Sequence, residues 1–310
     1  MGSTTPVVFL VFNRPGPTRR VFEAIAKARP AQLLVVADGP RTHRRGEAEL
    51  CQQVRAIAQN VSWPCEIRTN FSETNLGGPE RIISGLNWAF DMVEEAIILE
   101  DDCLPDPSFF PFCQELLGRY RSDSRVGMIS GNNFTGRPLR TGHSYYFSQM
   151  THTWGWATWR ATWRRHDRNL NDWPEIKRNK LLFEVFDDRS LIAFWSARFE
   201  EMHSKTGPQP WDYQWFYTNL VHNSLCITPA VNLVTNIGFG PDATHTFDPD
   251  SPLVLPSHSL DWPLRHPPSL LALRSMDRYE QRLVAPSILI PIRVREKLRR
   301  ARRLLKGIRN

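Results

Sequence analysis

Unbroken apolar runs, rather than alternation, mark the strand-like segments near the start of the chain. Pro6–Phe12 and Leu33–Ala37 are apolar throughout, as strands are when helices cover both faces of a parallel sheet. Helical spacing takes over between them. A helix is predicted from the turn Asn13-Arg14-Pro15-Gly16 through Ala28, a second over Glu47–Gln59, and a third over Glu80–Glu94 with Ile82, Leu86, Ala89 and Val93 on one face. Cys65–Thr69 predicts a short strand and Ile97–Leu99 another. Strand–helix alternation of this kind predicts an α/β fold with a Rossmann-like, mostly parallel sheet, where ligands gather at the carboxyl ends of strands.

The second half is less regular. Phe109–Tyr120 has helical spacing, although Pro111 is expected to bend it or delay its start. Val126–Ile129 reads as a strand ending in Ser130-Gly131-Asn132-Asn133, and Thr153–Trp159 as a segment running into a helix with Trp163. Trp211-Asp212-Tyr213-Gln214-Trp215 opens a further helix, and Leu225–Ile227 and Leu233–Thr235 are strand candidates. Dense Pro and Ser from Asp248 to Pro268 predict an irregular linker or flap.

Composition narrows the class. A chain of 310 residues can bury a sizeable core. Its five Cys contain no C-x-x-C pair and suit reduced thiols of a cytoplasmic protein, and its nine His show no zinc-site spacing. The start at Met1 lacks the basic and long apolar regions of a signal peptide. No apolar run approaches the ~20 residues of a spanning helix.

The formal charge of +7 is unevenly placed. Residues 293–310 hold nine Lys or Arg against a single acid, Glu296, so this tail alone carries +8 and the body is close to neutral. That distribution argues against specific nucleic-acid binding. Val294, Leu298, Ala301, Leu305 and Ile308 form one apolar stripe opposite the arginines, the pattern of a basic amphipathic helix on an anionic membrane surface. A solvated helix or a non-specific nucleic-acid arm is the alternative.

The chemistry concentrates where Ala96-Ile97-Ile98-Leu99 ends in Glu100-Asp101-Asp102. Three adjacent carboxylates repel, so a cation is expected among them. Mn²⁺ or Mg²⁺ fits, because hard cations take oxygen ligands and leave much of their shell to substrate phosphates. A solvated acidic turn is the alternative. Arg14 and Asp38 also fall at predicted strand ends. Trp154-Gly155-Trp156 offers indoles on which a sugar can pack, with an aromatic core cluster as the alternative, the reading preferred for Trp159 and Trp163. Asp212, between Trp211 and Trp215, has the surroundings of a carboxylate whose pKa desolvation raises, as suits a general base, or is a helix cap. In the loop from Gly238 to Thr246, glycines and His245 suit a lid that meets phosphate or metal, with a surface histidine as the alternative.

These blocks together resemble GT-A nucleotide-sugar glycosyltransferases, most closely the N-acetylglucosaminyltransferase I family (family 13) and more loosely family 2. The likeness covers about Ile97 to Phe247 and lies in five blocks: Glu100-Asp101-Asp102 with Pro107-Ser108-Phe109-Phe110, Ser130–Asn133, Thr153–Trp156, Trp211–Trp215, and Thr244-His245. The Trp211–Trp215 block has one more residue between its indoles than the family's Trp-Asp-Asp-Trp.

The resemblance implies a metal-dependent inverting transfer from a nucleotide-diphosphate sugar, most simply a UDP-sugar, to a hydroxyl acceptor on a glycan or lipid-linked glycan. It implies Asp102 as metal ligand and Asp212 as catalytic base. Glu100 and Asp101 would hold the nucleoside, Asp38 the base and Arg14 the nucleotide end, with Asn13, Arg81, Trp154, Trp156 and His245 completing the donor site. On this basis residues 1–247 form the transferase domain (1–125 nucleotide-binding, 126–247 acceptor and catalytic), 248–290 a flap and extension, and 291–310 the tail. A sugar nucleotidyltransferase, or an idle carbohydrate- or membrane-binding protein of the same fold, are the alternatives. The tail places the expected site of action at the inner face of a membrane. Deleting the residues after Arg293 is expected to weaken co-sedimentation with anionic liposomes while sparing activity on soluble acceptors; undiminished binding would remove the tail as an anchor.

Overall fold

A computed structural model describes residues 4–238 and 254–289. In chain order the first half comprises β1 (Val7–Val11), α1 (Pro15–Ala28), β2 (Gln32–Ala37), α2 (Glu47–Gln59), β3 (Glu66–Phe71), α3 (Gly78–Met92), β4 (Glu95–Glu100), β5 (Cys103–Pro105), α4 (Phe109–Tyr120) and β6 (Val126–Ser130). There follow β7 (Tyr145–Ser148), β8 (Trp156–Trp159), α5 (Arg160–Trp163), α6 (Trp173–Arg178), α7 (Leu182–Val185), α8 (Arg189–Ser204), α9 (Trp211–Val221), β9 (Leu225–Pro229), β10 (Val234–Asn236) and α10 (Arg274–Leu289).

Eight strands form one sheet in the order β3-β2-β1-β4-β8-β6-β9-β7, with β8 and β7 running against the other six. The fold is therefore α/β with a mostly parallel, Rossmann-like sheet, as the sequence predicts. The apolar runs are unbroken because both faces of each central strand are covered. Val7, Phe9 and Val11 of β1 enter a core with α1 and α4, whereas Val8 and Leu10 enter a second core with α3 and α9. In β4, Ile97 and Leu99 join the first and Ala96 and Ile98 the second.

Register positions the chemistry. Val11 pairs with Ala37, and Leu10 with Glu100, so β1, β2 and β4 end together and the residues that follow them share one edge. β5 and β10 form a separate antiparallel pair, with Asn236 opposite Cys103.

One expectation fails locally. Pro111 does not delay α4, which starts at Phe109; in the first turn its missing N–H has no intrahelical acceptor to lose. The Thr153–Trp159 stretch does run into a helix with Trp163, α5, but its second part, Trp156–Trp159, is strand β8 between β4 and β6. Segment 254–268 lacks regular structure, as predicted, but is stitched down. Thr235 Oγ1 donates to the Leu255 carbonyl (3.1 Å), Ser259 Oγ to the Asp106 carboxylate (3.0 Å), and Arg265 N to Ser144 Oγ (2.9 Å). Just beyond it, Leu273 N donates to the Phe147 carbonyl (2.7 Å). At the opposite border of the sheet β3 is largely exposed, with Arg68 and Glu66 paired along it at 2.6 Å.

The chain divides into two compact units, residues 1–168 with 209–274, and 169–208 with 275–310. The first contains the sheet. The second, over its described residues, has a core of Trp173, Trp195 and Phe199, with Phe199 5.4 Å from each indole, and Asp188 caps α8 through Ser190 N. Among the described residues no helix is long and apolar enough to cross a membrane. The basic tail and His245 lie outside the described residues.

In the first unit Trp156, Trp163, Trp211 and Trp215 pack ring on ring at 5.2–6.2 Å, and His166 stacks on Trp163 at 4.8 Å. Burial, opposed by Asp167 and reinforced by Arg168, lowers the His166 pKa to about 4. The unfolded chain then binds the extra proton between about pH 6.5 and 4, so this contribution is complete above 6.5 and lost as pH falls toward 4. Urea denaturation of His166→Phe and wild type across that range is expected to show wild type losing up to about 3 kcal/mol relative to the variant; parallel curves would contradict it.

Candidate functional site

Strand β1 passes into α1 through Phe12, Asn13 and Arg14, with Pro15 opening the helix, where a missing N–H costs nothing. The turn aims Arg14 at the end of β4. Its Nη2 donates to Asp101 Oδ1 and, at 2.9 Å, to Asp102 Oδ2. Asp101 is buried and also accepts from Phe12 N (3.4 Å). Burial would lower the Arg14 pKa, but Asp101 and Asp102 outweigh it and raise it, so the guanidinium stays charged.

Negative charge exceeds positive here. Burial pushes Asp101 up to about 6 against the pull of Arg14. Glu100 is driven well above the carboxylate range by burial and then by Asp102, Asp101 and Asp212, with Arg14 again opposing. Asp212, in the first turn of α9, is thus near enough to act electrostatically on the end of β4. It does not cap that helix, since α9 starts at Trp211 with Pro210 in the cap position; an acid in the first turn still gains from the helix dipole.

The segment leaving β10 closes over the same group. Ile237 N donates to the Asp102 carbonyl (2.8 Å), and Gly238 N to Asn236 Oδ1 (2.8 Å). A methyl group on Gly238 would lie 2.2 Å from Asp102 Oδ2 and 2.9 Å from Arg14 Nη1, so only glycine can come this close to the ion pair.

Among the described residues no three His, Cys, Asp or Glu side chains are disposed to hold a metal by themselves. The donor set nonetheless fits a hard divalent cation. It is all oxygen, it carries more negative charge than Arg14 neutralises, and one or two carboxylates suffice when phosphates complete the shell. The neighbouring Cys103 thiol is buried and its pKa raised, which keeps it protonated and out of ligation.

The remaining predicted residues divide. Asp38 accepts from Gly39 N and Leu76 N on Oδ1 (both 2.9 Å) and from Asn75 Nδ2 and Gly77 N on Oδ2 (both 3.0 Å). Its acceptor sites are filled by the chain itself, so it clasps the loop entering α3. Arg81 is buried behind this clasp, where Nε donates to the Ala37 carbonyl (3.1 Å) and Nη2 to Asn70 Oδ1 (2.7 Å). Asn13 donates to Glu47 Oε1 (2.8 Å). Trp154 is half-buried, 5.2 Å from the Phe134 ring.

Trp156 is corrected. It is 0% exposed, its ring packed among Trp163, Trp211 and Trp215, so no ligand reaches it. Gly155, at φ 71°, lets the chain turn between an indole left half-buried and one in the core.

No protein-family model and no curated protein matches the chain. Among solved structures it is similar to a mannosyltransferase from Pyrobaculum calidifontis in complex with GDP-Man and Mn²⁺, at TM-score 0.35 and 14% identity over 53% of this chain and 47% of that one. It is also similar to UDP-glucose pyrophosphorylase complexed with UDP-glucose, at TM-score 0.29 and 11% identity over 52% of this chain and 70% of that one. The chain thus spans about half the length of the mannosyltransferase. Likenesses this slight carry no chemistry from those proteins to this chain.

Two contributors escape the sequence reading. Glu47 is a buried carboxylate held low, at about 2, chiefly by hydrogen bonds from Arg41. Asn236 reaches the site through the β5–β10 pairing and accepts from Gly238 N, a glycine of the predicted lid loop. Glu47 gives one usable signal, an acid opening a helix a few residues after an arginine; the strand pairing gives none.

Asp38→Ala is expected to cost about 2–4 kcal/mol, because it strands the buried Leu76 and Gly77 amides, while Asp38→Asn costs less. Denaturant midpoints and faster exchange of those two amides check this.

Proposed function

We propose that the chain is a glycosyltransferase that moves a sugar from a nucleotide-diphosphate donor to a hydroxyl acceptor with inversion, using Mn²⁺ or Mg²⁺. The observation that supports this reading is the acidic end of β4, where Arg14 pairs with Asp101 and Asp102 and where Asp212 is close enough to help raise the Glu100 pKa. A candidate base and a candidate leaving-group anchor would then lie on one side of the sheet. The five-block likeness to the N-acetylglucosaminyltransferase I family supports the same reading.

Asp102 would hold the metal, its side chain 15% exposed where that of Asp101 is 4%. A bound divalent ion would supply Lewis-acid neutralisation of the diphosphate charge. Arg14, paired with Asp101 and Asp102, adds positive charge beside the leaving group. Glu100 and Asp101 line the nucleoside side, and the Asp38 clasp with Arg81 fixes the loop flanking it. Trp154 offers the remaining aromatic face for a sugar.

Asp212 takes the proton from the acceptor hydroxyl. The acceptor oxygen then forms its bond to the anomeric carbon from the face opposite the leaving group. The bond from that carbon to the diphosphate oxygen breaks, and a nucleoside diphosphate departs with the electron pair. His245 would meet the phosphates or the metal, and the basic tail an anionic membrane carrying the acceptor.

Incubating a panel of nucleotide sugars with Mn²⁺ tests the class, since a transferase releases nucleoside diphosphate by slow donor hydrolysis and a nucleotidyltransferase does not. Asp212→Asn is expected to lose about 10²–10⁴-fold in turnover while binding nucleoside diphosphate unchanged. Asp102→Asn is expected to lose the metal-dependent part of that binding in calorimetry. Full turnover in the first variant would remove Asp212 from the mechanism, and intact metal dependence in the second would remove Asp102 from the ligand set.

A further inference from the structure

Arg14 pairs with the carboxylate that would hold the proposed metal. One nitrogen, Nη2, serves both Asp101 Oδ1 and Asp102 Oδ2, and the second contact engages the carboxylate assigned to the cation. Among the described residues the Asp102 carboxylate otherwise accepts from the Cys103 thiol, a weak donor 3.6 Å from Oδ1. The guanidinium side chain is only 20% exposed, and Gly238 lies against both partners, so the ion pair is partly roofed. Glu100 has no hydrogen-bonding side chain among the described residues, and Arg14 is the one cation among the groups acting on it.

We infer that Arg14 is the site's resident counter-ion. It holds Asp101 and Asp102 when no divalent cation is bound and gives up Asp102 when one binds. The inference rests on the metal-dependent reading proposed above and adds a competition within it. A divalent ion approaching Asp102 meets a fixed positive charge at hydrogen-bond distance, which opposes it strongly in a partly desolvated site. Cation binding in the absence of nucleotide is therefore weak. Donor phosphates change the balance by offering the guanidinium new acceptors, to which an arginine fork is well matched. Metal and donor then enter together, Arg14 moving from carboxylate to phosphate as Asp102 turns to the ion. Asp101, deeper and bonded to Phe12 N, stays in place and keeps the strand end from springing apart during the exchange.

The readout is binding of Mn²⁺ alone to the full chain, without nucleotide, followed by the electron paramagnetic resonance signal of free ion. Arg14→Met is expected to bind Mn²⁺ about 10–100-fold more tightly than wild type, because the opposing charge is gone. Its melting temperature without metal is expected to fall and to recover on adding Mn²⁺ by a larger shift than wild type shows. Arg14→Lys keeps the charge but not the planar fork, is expected to bind with intermediate affinity, and carries the test if the methionine variant does not fold without metal. Asp102→Asn in the Arg14→Met background is expected to abolish the gain, placing the tight ion on that carboxylate.

Equal Mn²⁺ affinity in wild type and both Arg14 variants, or a gain that survives Asp102→Asn, overturns the counter-ion role while the metal reading stands. Failure of all these proteins to bind Mn²⁺ even with nucleoside diphosphate present overturns both.

Discussion

Like charge gathered at the end of a buried strand is the constraint to which the rest of the first unit answers. The parallel register that ends β1, β2 and β4 together leaves Asp101 and Asp102 beside the turn carrying Arg14. Asp212 adds further negative potential, and burial together with these neighbours drives the Glu100 carboxyl toward its neutral form. Such an arrangement is costly to an isolated chain, since buried carboxylates of like sign raise one another's pKa. Its persistence is understandable if the deficit is made good by something that binds. The strain is also localised. Phe12 N, the Ile237 amide and the α9 first turn each place a backbone dipole or donor at this edge.

The two flanks of the site are held by different physics. On the β2 side the support is polar, with Asp38 gathering three amides and a carboxamide while Arg81 ties the ends of β2 and β3. On the α9 side the support is aromatic. Trp211 and Trp215 lean on Trp156 and Trp163, so the helix that carries Asp212 stands on packed indoles. The proton-accepting role proposed for Asp212 would need this sort of fixity, because a misplacement of about 1 Å can cost about 10²-fold in rate.

The mostly parallel sheet and the first four helices were legible from the apolar runs, because strands covered on both faces lose their alternation and helices keep theirs; the order of the strands was not. Helices α2 and α4 have the predicted bounds. The antiparallel insertion β8 was not legible, since Thr153–Trp159 is a short aromatic stretch whose pairing depends on β4 and β6, far away in sequence. For the same reason Trp156 reads as a ligand platform when it is core: a tryptophan's neighbours, not its identity, decide which way it faces. Asp38 illustrates the opposite limit. Its place at a strand end was predicted, but its four donors come mostly from a loop more than thirty residues on, and nothing local announces them.

The borders of the sheet bear on a different property, the behaviour of many copies in one place. Edge strands invite pairing with other chains. One border here, β7, is taken by the chain's own backbone through Leu273, and the other, β3, presents an ion pair and few large apolar groups. A protein with edges treated in this way resists stacking sheet to sheet when crowded. If the tail gathers copies on a lipid surface, local concentration can rise steeply there without the molecules polymerising through their strands.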